Sequence, residues 1–296
     1  MDIILKTKKP ELDLPYFGRQ SRFFEFFDRC VEPLMSKDGI YAETNSGSVS
    51  NLYKFAKKGY KVIGNDISVY SNSIAKAVLS NEVAENVTKH NTWTDNYTNT
   101  YVNRAAMFAG LIETYGYNPK VPKILTKELK KNIEKYTKHL NRIKNNNISA
   151  YKIYNLDLFK YLDKLKKENI KVDVMFMDFA WPWRDGTKTD EYDTTANVFA
   201  DILKCKNEKV TIWDKNNVIE KVIEAIKKAQ KVSKFVLLSN QSSNYPTPEI
   251  LEVALLKNGI YYKERHTMLT DAEYEDNLGK DSFFREYLYV IKGNIK

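Results

Sequence analysis

Cysteine and histidine are nearly missing from this chain of 296 residues. Cys30 and Cys205 are its only thiols, which excludes a disulfide framework and leaves nothing to build a zinc cluster. The three histidines, His90, His139 and His266, lie far apart and in no metal-ligand spacing. No apolar run reaches the length of a membrane span. The opening stretch, Met1 to Pro10, is charged and has no apolar signal-peptide core behind it. The expectation is a cytoplasmic protein that does not meet the membrane. No internal repeat is present.

Apolar residues make up 43% of the chain, enough for a real core. The length suits one large α/β domain with an inserted subdomain. The net charge is +9. Such a surplus favours a polyanionic partner, with an ordinary Lys-rich surface as the alternative.

Elements can be read in order. Phe23, Phe24, Phe26, Phe27 and Val31 suit a helix with a broad apolar face. Gly39 to Ala42 predicts a short strand, followed by the turn Asn45-Ser46-Gly47-Ser48. A helix from about Val49 to Lys58 stops at Gly59. A second strand, Tyr60 to Gly64, ends at Asn65-Asp66, and a helix from Tyr70 to Leu79 follows. Strand, turn, helix, strand, acid is one βαβ unit. Later strands are expected at Val172 to Met177, Phe235 to Ser239 and Tyr287 to Ile291, with a helix at Val218 to Ala229.

Residues 88 to 148 read as an inserted subdomain, flanked by a main domain of residues 1 to 87 and 149 to 296. The insert opens polar and aromatic from Trp93 to Tyr101 and ends in a helix. There Leu125, Leu129, Ile133, Tyr136, Leu140 and Ile143 recur every three or four residues. Lys127, Lys130, Lys131, Lys135, Lys138, Arg142 and Lys144 fill the other faces, opposed only by Glu128 and Glu134. This is a phosphate-binding surface or a solvated helix face.

Three features carry chemistry. The Ser/Gly turn permits close backbone approach to a nucleotide-like cofactor, or is an ordinary strand-to-helix turn. Asp66, about twenty residues after that turn, suits ribose hydroxyls or a helix cap. Asp178-Phe179-Ala180-Trp181-Pro182-Trp183 follows the strand ending at Met177. A carboxylate there lies where α/β ligands bind. Trp181 beside it offers a stacking surface for a flipped-out base, with helix cap and core tryptophans as the alternative.

Taken in order, these stretches resemble the Dam-like, adenine-specific, amino-methylating DNA methyltransferases. That family opens with Tyr-x-Gly-x-Lys, then has a Gly-rich cofactor loop, an Asn-Asp pair, a target-recognition insert, a short acidic motif and Asp-Pro-Pro-Tyr. Tyr16-Phe17-Gly18-Arg19-Gln20, Asn45 to Ser50, Asn65 to Ser71, Asn155 to Phe159 and Asp178 to Trp181 stand in matching order, with Phe235 to Asn240 and Glu286 to Leu288 as closing strands. The departures are specific. Asn45 replaces the first glycine and Tyr41 stands at the acid, with Glu43 two positions later. Gln20 replaces the lysine, and Phe179-Ala180 replaces Pro-Pro.

The resemblance implies a Rossmann-like methyltransferase sheet with helices on both faces and S-adenosylmethionine as cofactor. It implies methyl transfer to the exocyclic amino nitrogen of adenine in DNA. Tyr16, Gly18, Asn45, Ser46, Gly47, Ser48, Asp66, Asp157 and Asp178 would form the cofactor site. Asp178, Phe179, Ala180 and Trp181 would be the catalytic segment. The alternatives are a non-catalytic nucleic-acid-binding relative, a methyltransferase for RNA or another amino substrate, and a nicotinamide dehydrogenase.

Overall fold

The computed structural model describes residues 10–16, 24–82, 84, 92–117, 121–144, 148, 150–184, 190–204, 213–271 and 283–295. Its centre is a seven-stranded sheet. The strands are β1 (Ile40–Glu43), β2 (Lys61–Asn65), β3 (Lys152–Tyr154), β4 (Val172–Met177), β5 (Ser233–Gln241), β6 (Tyr262–Asp271) and β7 (Phe283–Lys292). They lie in the order β3-β2-β1-β4-β5-β7-β6. The first five pair in parallel, and β7 runs antiparallel to both β5 and β6. This is the mostly parallel α/β sheet that the βαβ reading requires.

Helices α1 (Phe24–Val31), α2 (Ser50–Lys57), α3 (Val69–Leu79), α4 (Tyr101–Tyr115), α5 (Lys127–Lys144), α6 (Leu158–Lys167), α7 (Asp190–Ile202), α8 (Val218–Ala229) and α9 (Pro248–Lys257) surround it. Side chains alternate across a strand, so neighbouring residues feed different cores. Tyr41, Val62, Val174, Phe176 and Leu237 join one core with α1 to α5 and α7. Ala42, Ile63, Met175, Met177, Val236 and Leu238 join the other with α6, α8 and α9. Both faces are thus covered, as a parallel sheet demands.

The segment between α3 and β3 contributes to the first of these cores. Residues Ala105 to Ala109 and Leu111 of α4 are fully buried, as is the apolar stripe of α5. Gly110 is required here: a Cβ on it would meet Cγ1 of Ile133 at 2.7 Å. Among the described residues no helix is long and apolar enough to cross a membrane.

Chain order sets where a ligand can enter. From β1 the chain moves outward to β2 and β3, then crosses back to β4 and moves outward to β5. The order reverses between β1 and β4, which opens a crevice beyond their carboxyl ends.

Candidate active site

The β1–β2 side of this crevice is held by polar side chains bonded to backbone. Thr44 N–H donates to the Phe176 carbonyl at 3.1 Å, tying the end of β1 to β4. Ser46 donates both its N–H (2.8 Å) and its hydroxyl (2.9 Å) to the Asn65 carbonyl. Gly47 takes φ +49°, and its N–H reaches the Asp66 carboxylate at 2.8 Å. A Cβ on Gly47 would meet the Tyr16 ring at 3.4 Å, so Tyr16 lies against this turn. Val49 follows at φ 65°, a left-handed position that a β-branched residue rarely takes, and starts α2.

Asn65 is the keystone of this side. Its amide donates to the carbonyls of Thr44 (3.0 Å) and Leu156 (3.1 Å), and its oxygen accepts from Leu156 N–H at 3.1 Å. Asn155 donates to the carbonyls of Asp66 (2.6 Å) and Ile67 (3.0 Å). These bonds tie the ends of β1, β2 and β3 to one another. Asp157 starts α6, accepting from the N–H groups of Phe159 and Lys160.

Asp66 is nearly buried, with one carboxylate oxygen on Gly47 N–H and the other on Ser68 N–H at 2.8 Å. The acid stands at the end of β2 and accepts the N–H of Ser68, the residue that precedes α3. Burial raises its carboxyl above the usual range, and bonds from Ser68, Gly47 and Ser71 pull it back.

Glu43 is the residue that the sequence expectation passed over. Tyr41, aligned with the family's acid, is a core ring tilted against Phe55 at 4.4 Å. The acid at the strand end is Glu43, whose carboxyl accepts the Tyr41 hydroxyl at 2.6 Å. Burial pushes Glu43 up to about 8; the Tyr41 bond opposes this, and the charge of Asp178 adds to it. Lys54 lowers the value and Asp66 raises it further. At neutral pH this carboxyl keeps its proton. The signal was in the sequence: Glu43-x-Asn45-x-Gly47 puts an acid directly before the turn.

The β4 side is built from aromatic rings. Asp178 follows the last residue of β4 and is half-buried. The Phe179 ring lies 5.3 Å from Trp181 and 5.0 Å from Trp213. The Phe179 carbonyl accepts Trp181 N–H at 2.9 Å. Ala180 between them is partly exposed. Trp181 was expected to present a stacking face. Here it is only 5% exposed, and its indole N–H donates to the Ser239 carbonyl at 3.1 Å. Its ring forms part of the core wall beneath the crevice.

The basic helix is α5. Lys127, Lys130, Lys131, Lys135, Lys138, Arg142 and Lys144 are all exposed. Lys135 pairs with Glu113 at 2.8 Å, and Arg142 bonds the His139 ring at 3.1 Å. Gly18, with Phe17, Arg19 and Gln20, lies outside the described residues, as does Cys205. Asn45 and Ser48 stand in the turn, partly exposed. Among the described residues no three His, Cys, Asp or Glu side chains are placed to hold a metal ion.

No family model matches the chain. No curated protein matches it by sequence. Solved structures with a similar course of chain include the rRNA methyltransferase AviRa of Streptomyces viridochromogenes, at 10% identity and a TM-score of 0.43, covering 94% of this chain and 86% of that one. A human methyltransferase 10 domain containing protein has 12% identity and a TM-score of 0.41 over the same shares. A protein assigned as a methyltransferase and crystallised with SAH has 8% identity and a TM-score of 0.40 over 90% of this chain. The present chain spans about half the length of that last protein, 49%. Likeness at these scores describes the course of the chain and nothing of its chemistry.

Proposed function

We propose that the protein is an S-adenosylmethionine-dependent methyltransferase acting on the exocyclic amino nitrogen of adenine in DNA. One observation carries this reading. The turn after β1, the acid after β2 and the acid after β4 meet at the sheet's switch point, with Gly47 N–H bonded to Asp66.

The residues fit such a cofactor. Gly47 at positive φ keeps the turn low, and Tyr16 walls it. Asp66 and Asp178, at the ends of β2 and β4, place carboxyl groups that suit a sulfonium cation. Bound S-adenosylmethionine supplies an electrophilic methyl group. Asn45, Ser46, Gly47 and Ser48 would border the cofactor through the turn, and Tyr16 would border its methionine part. Asp66 would take the ribose hydroxyls through what lone-pair capacity Gly47, Ser68 and Ser71 leave, and Asp157 would stand near the cofactor adenine.

Asp178 accepts a hydrogen of the target amino group. The Phe179 carbonyl, with one lone pair on Trp181 N–H, has a second for the other hydrogen. Two acceptors localise the nitrogen lone pair toward the methyl carbon. Transfer of the methyl group to that nitrogen would form the N–C bond and break the S–C bond, the electron pair going to sulfur. The amino proton leaves by way of Asp178. Positioning and electrostatics supply the rest of the rate. Ala180 and Trp181 hold this segment on the β4 wall, and α5 takes the DNA phosphates.

One observation favours a second reading, a catalytically silent relative that binds nucleic acid: the Trp181 indole is bonded into the core. Calorimetry with S-adenosylmethionine on wild type and Asp66→Ala separates the two. Micromolar binding clearly weakened in the mutant, followed by labelled N6-methyladenine in digested DNA, supports the enzyme. A wild type that does not bind the cofactor sinks it.

A further inference from the structure

Trp183 is the one tryptophan among the described residues that stands well exposed, at 43%. It comes five residues after Asp178 and two after the buried Trp181, on the arm leaving β4. This arm is held firmly. Pro182 accepts Tyr245 N–H at 2.8 Å, and Arg184 N–H donates to Ser243 at 2.9 Å. Trp183 itself pairs with Asn244 in an antiparallel bridge.

The opposing turn is braced in its own right. The buried Asn240 donates to the Pro246 carbonyl at 3.1 Å and accepts from Gln241 N–H and from the Asn244 amide. The backbone around Trp183 is thus fixed on both sides, while a large indole is left facing water. A flat apolar ring on a pre-ordered arm costs little further entropy when it receives a flat partner. Arg184, also exposed, adds a guanidinium to the same arm, within reach of the charge of Glu249.

A base that stacks on an indole covers most of one ring face, and Trp181 has no such face to give. We propose that Trp183 is the residue on which an unpaired nucleobase stacks at the mouth of the crevice, with Arg184 beside it for a neighbouring phosphate. Trp181 is then the support beneath the arm. The inference rests on the nucleic-acid reading above and names the contact that the reading lacked.

The test uses the full chain and a fluorescein-labelled twelve-nucleotide single-stranded DNA, read by anisotropy. Trp183→Ala should weaken binding by about 10-fold or more, the scale of one base–aromatic stack. Trp183→Phe should restore most of it, and Trp181→Phe should cost clearly less than Trp183→Ala. DNA titration should quench tryptophan emission in wild type and much less in Trp183→Phe. Calorimetric binding of S-adenosylmethionine should be the same in Trp183→Ala as in wild type. If wild type binds DNA and Trp183→Ala binds as tightly, the inference falls alone. If Trp181→Phe takes the loss instead, it falls in favour of the buried ring. If wild type binds the cofactor but no DNA, the nucleic-acid reading falls and takes the inference with it.

Discussion

The two sides of the crevice are built from different materials. On the β1–β2 side, short polar side chains bond to backbone: Ser46, Asn65, Asp66 and Asn155 account for eight such bonds between them. On the β4–β5 side, rings meet rings: Phe179, Trp181 and Trp213, with one indole bond to Ser239. Polar stitching fixes the direction of backbone N–H and C=O groups, which a polar ligand reads. Aromatic packing fixes planes, which suits a flat one. The β1–β2 side therefore suits a polar cofactor and the β4 side a flat base.

The comparison breaks most sharply at Asp178. Asp178→Ala should lower single-turnover methyl transfer by roughly 100- to 1000-fold, the range for losing one pre-organised polar contact in a transition state. Cofactor affinity should change only a few-fold. If affinity and rate fall together, Asp178 belongs to the cofactor side.

Glu43 comes next. Unfolded, this carboxyl ionises near 4.5; folded, it holds its proton to about 8. The folded state therefore binds an extra proton between those values. The group's contribution to stability is full below pH 4.5 and is lost as pH rises through 8. By pH 7 the loss is about 3 kcal/mol. Glu43→Gln cannot ionise and keeps an oxygen for the Tyr41 hydroxyl. It should raise the unfolding free energy at pH 7 by about that amount and flatten its decline between about pH 5 and 8. Urea melts across that range check it; an unchanged slope would place the wild-type carboxylate in an ionised state.

Asp66→Ala removes the acceptor of two backbone N–H groups in a buried setting. A cost of about 2 kcal/mol in stability is expected, together with a cofactor dissociation constant raised about 10-fold. Asp66→Asn keeps one acceptor oxygen and should fall between. If the two variants lose stability yet bind cofactor like wild type, Asp66 is only the brace of the turn.

Much of this architecture was legible in the chain. The β1 turn and the acid after β2 could be read because local rules govern them: small residues turn, and an acid ends the strand. The helix at Val218 to Ala229 was readable because its buried residues recur at helical spacing. Helix α4 was not, because it is buried on nearly every side and shows no polar stripe. Strand β6 was hidden by Lys263, Glu264, Arg265 and His266, charges that an edge strand tolerates. The two tryptophans of the β4 arm posed a different problem. Alternation says that Trp181 and Trp183 share a face, yet one is buried and the other exposed. The partner that decides this, Ser239, lies 58 residues away.

The smallest effect concerns α5, which lies on neither wall but carries the charge proposed to hold the substrate. Its apolar stripe, Leu129, Ile133, Tyr136, Leu140 and Ile143, is buried, so its orientation is fixed by packing. Lys127, Lys131, Lys138 and Arg142 then fall along one outward row, since spacings of four, seven and four residues return to the same helix face. Lys135 lies near that row, but Glu113 holds it, and the Tyr136 hydroxyl donates to the same carboxylate at 2.5 Å. Replacing Lys131, Lys138 or Arg142 by alanine should weaken duplex DNA binding only a few-fold each. Each loss should also reduce the slope of log affinity against log salt by about 1. Lys135→Ala should do less, because Glu113 already holds that ammonium and keeps it from a phosphate. Equal slopes in all four variants would make α5 an ordinary solvated face, and the phosphate contacts would then have to be sought on the Trp183–Arg184 arm.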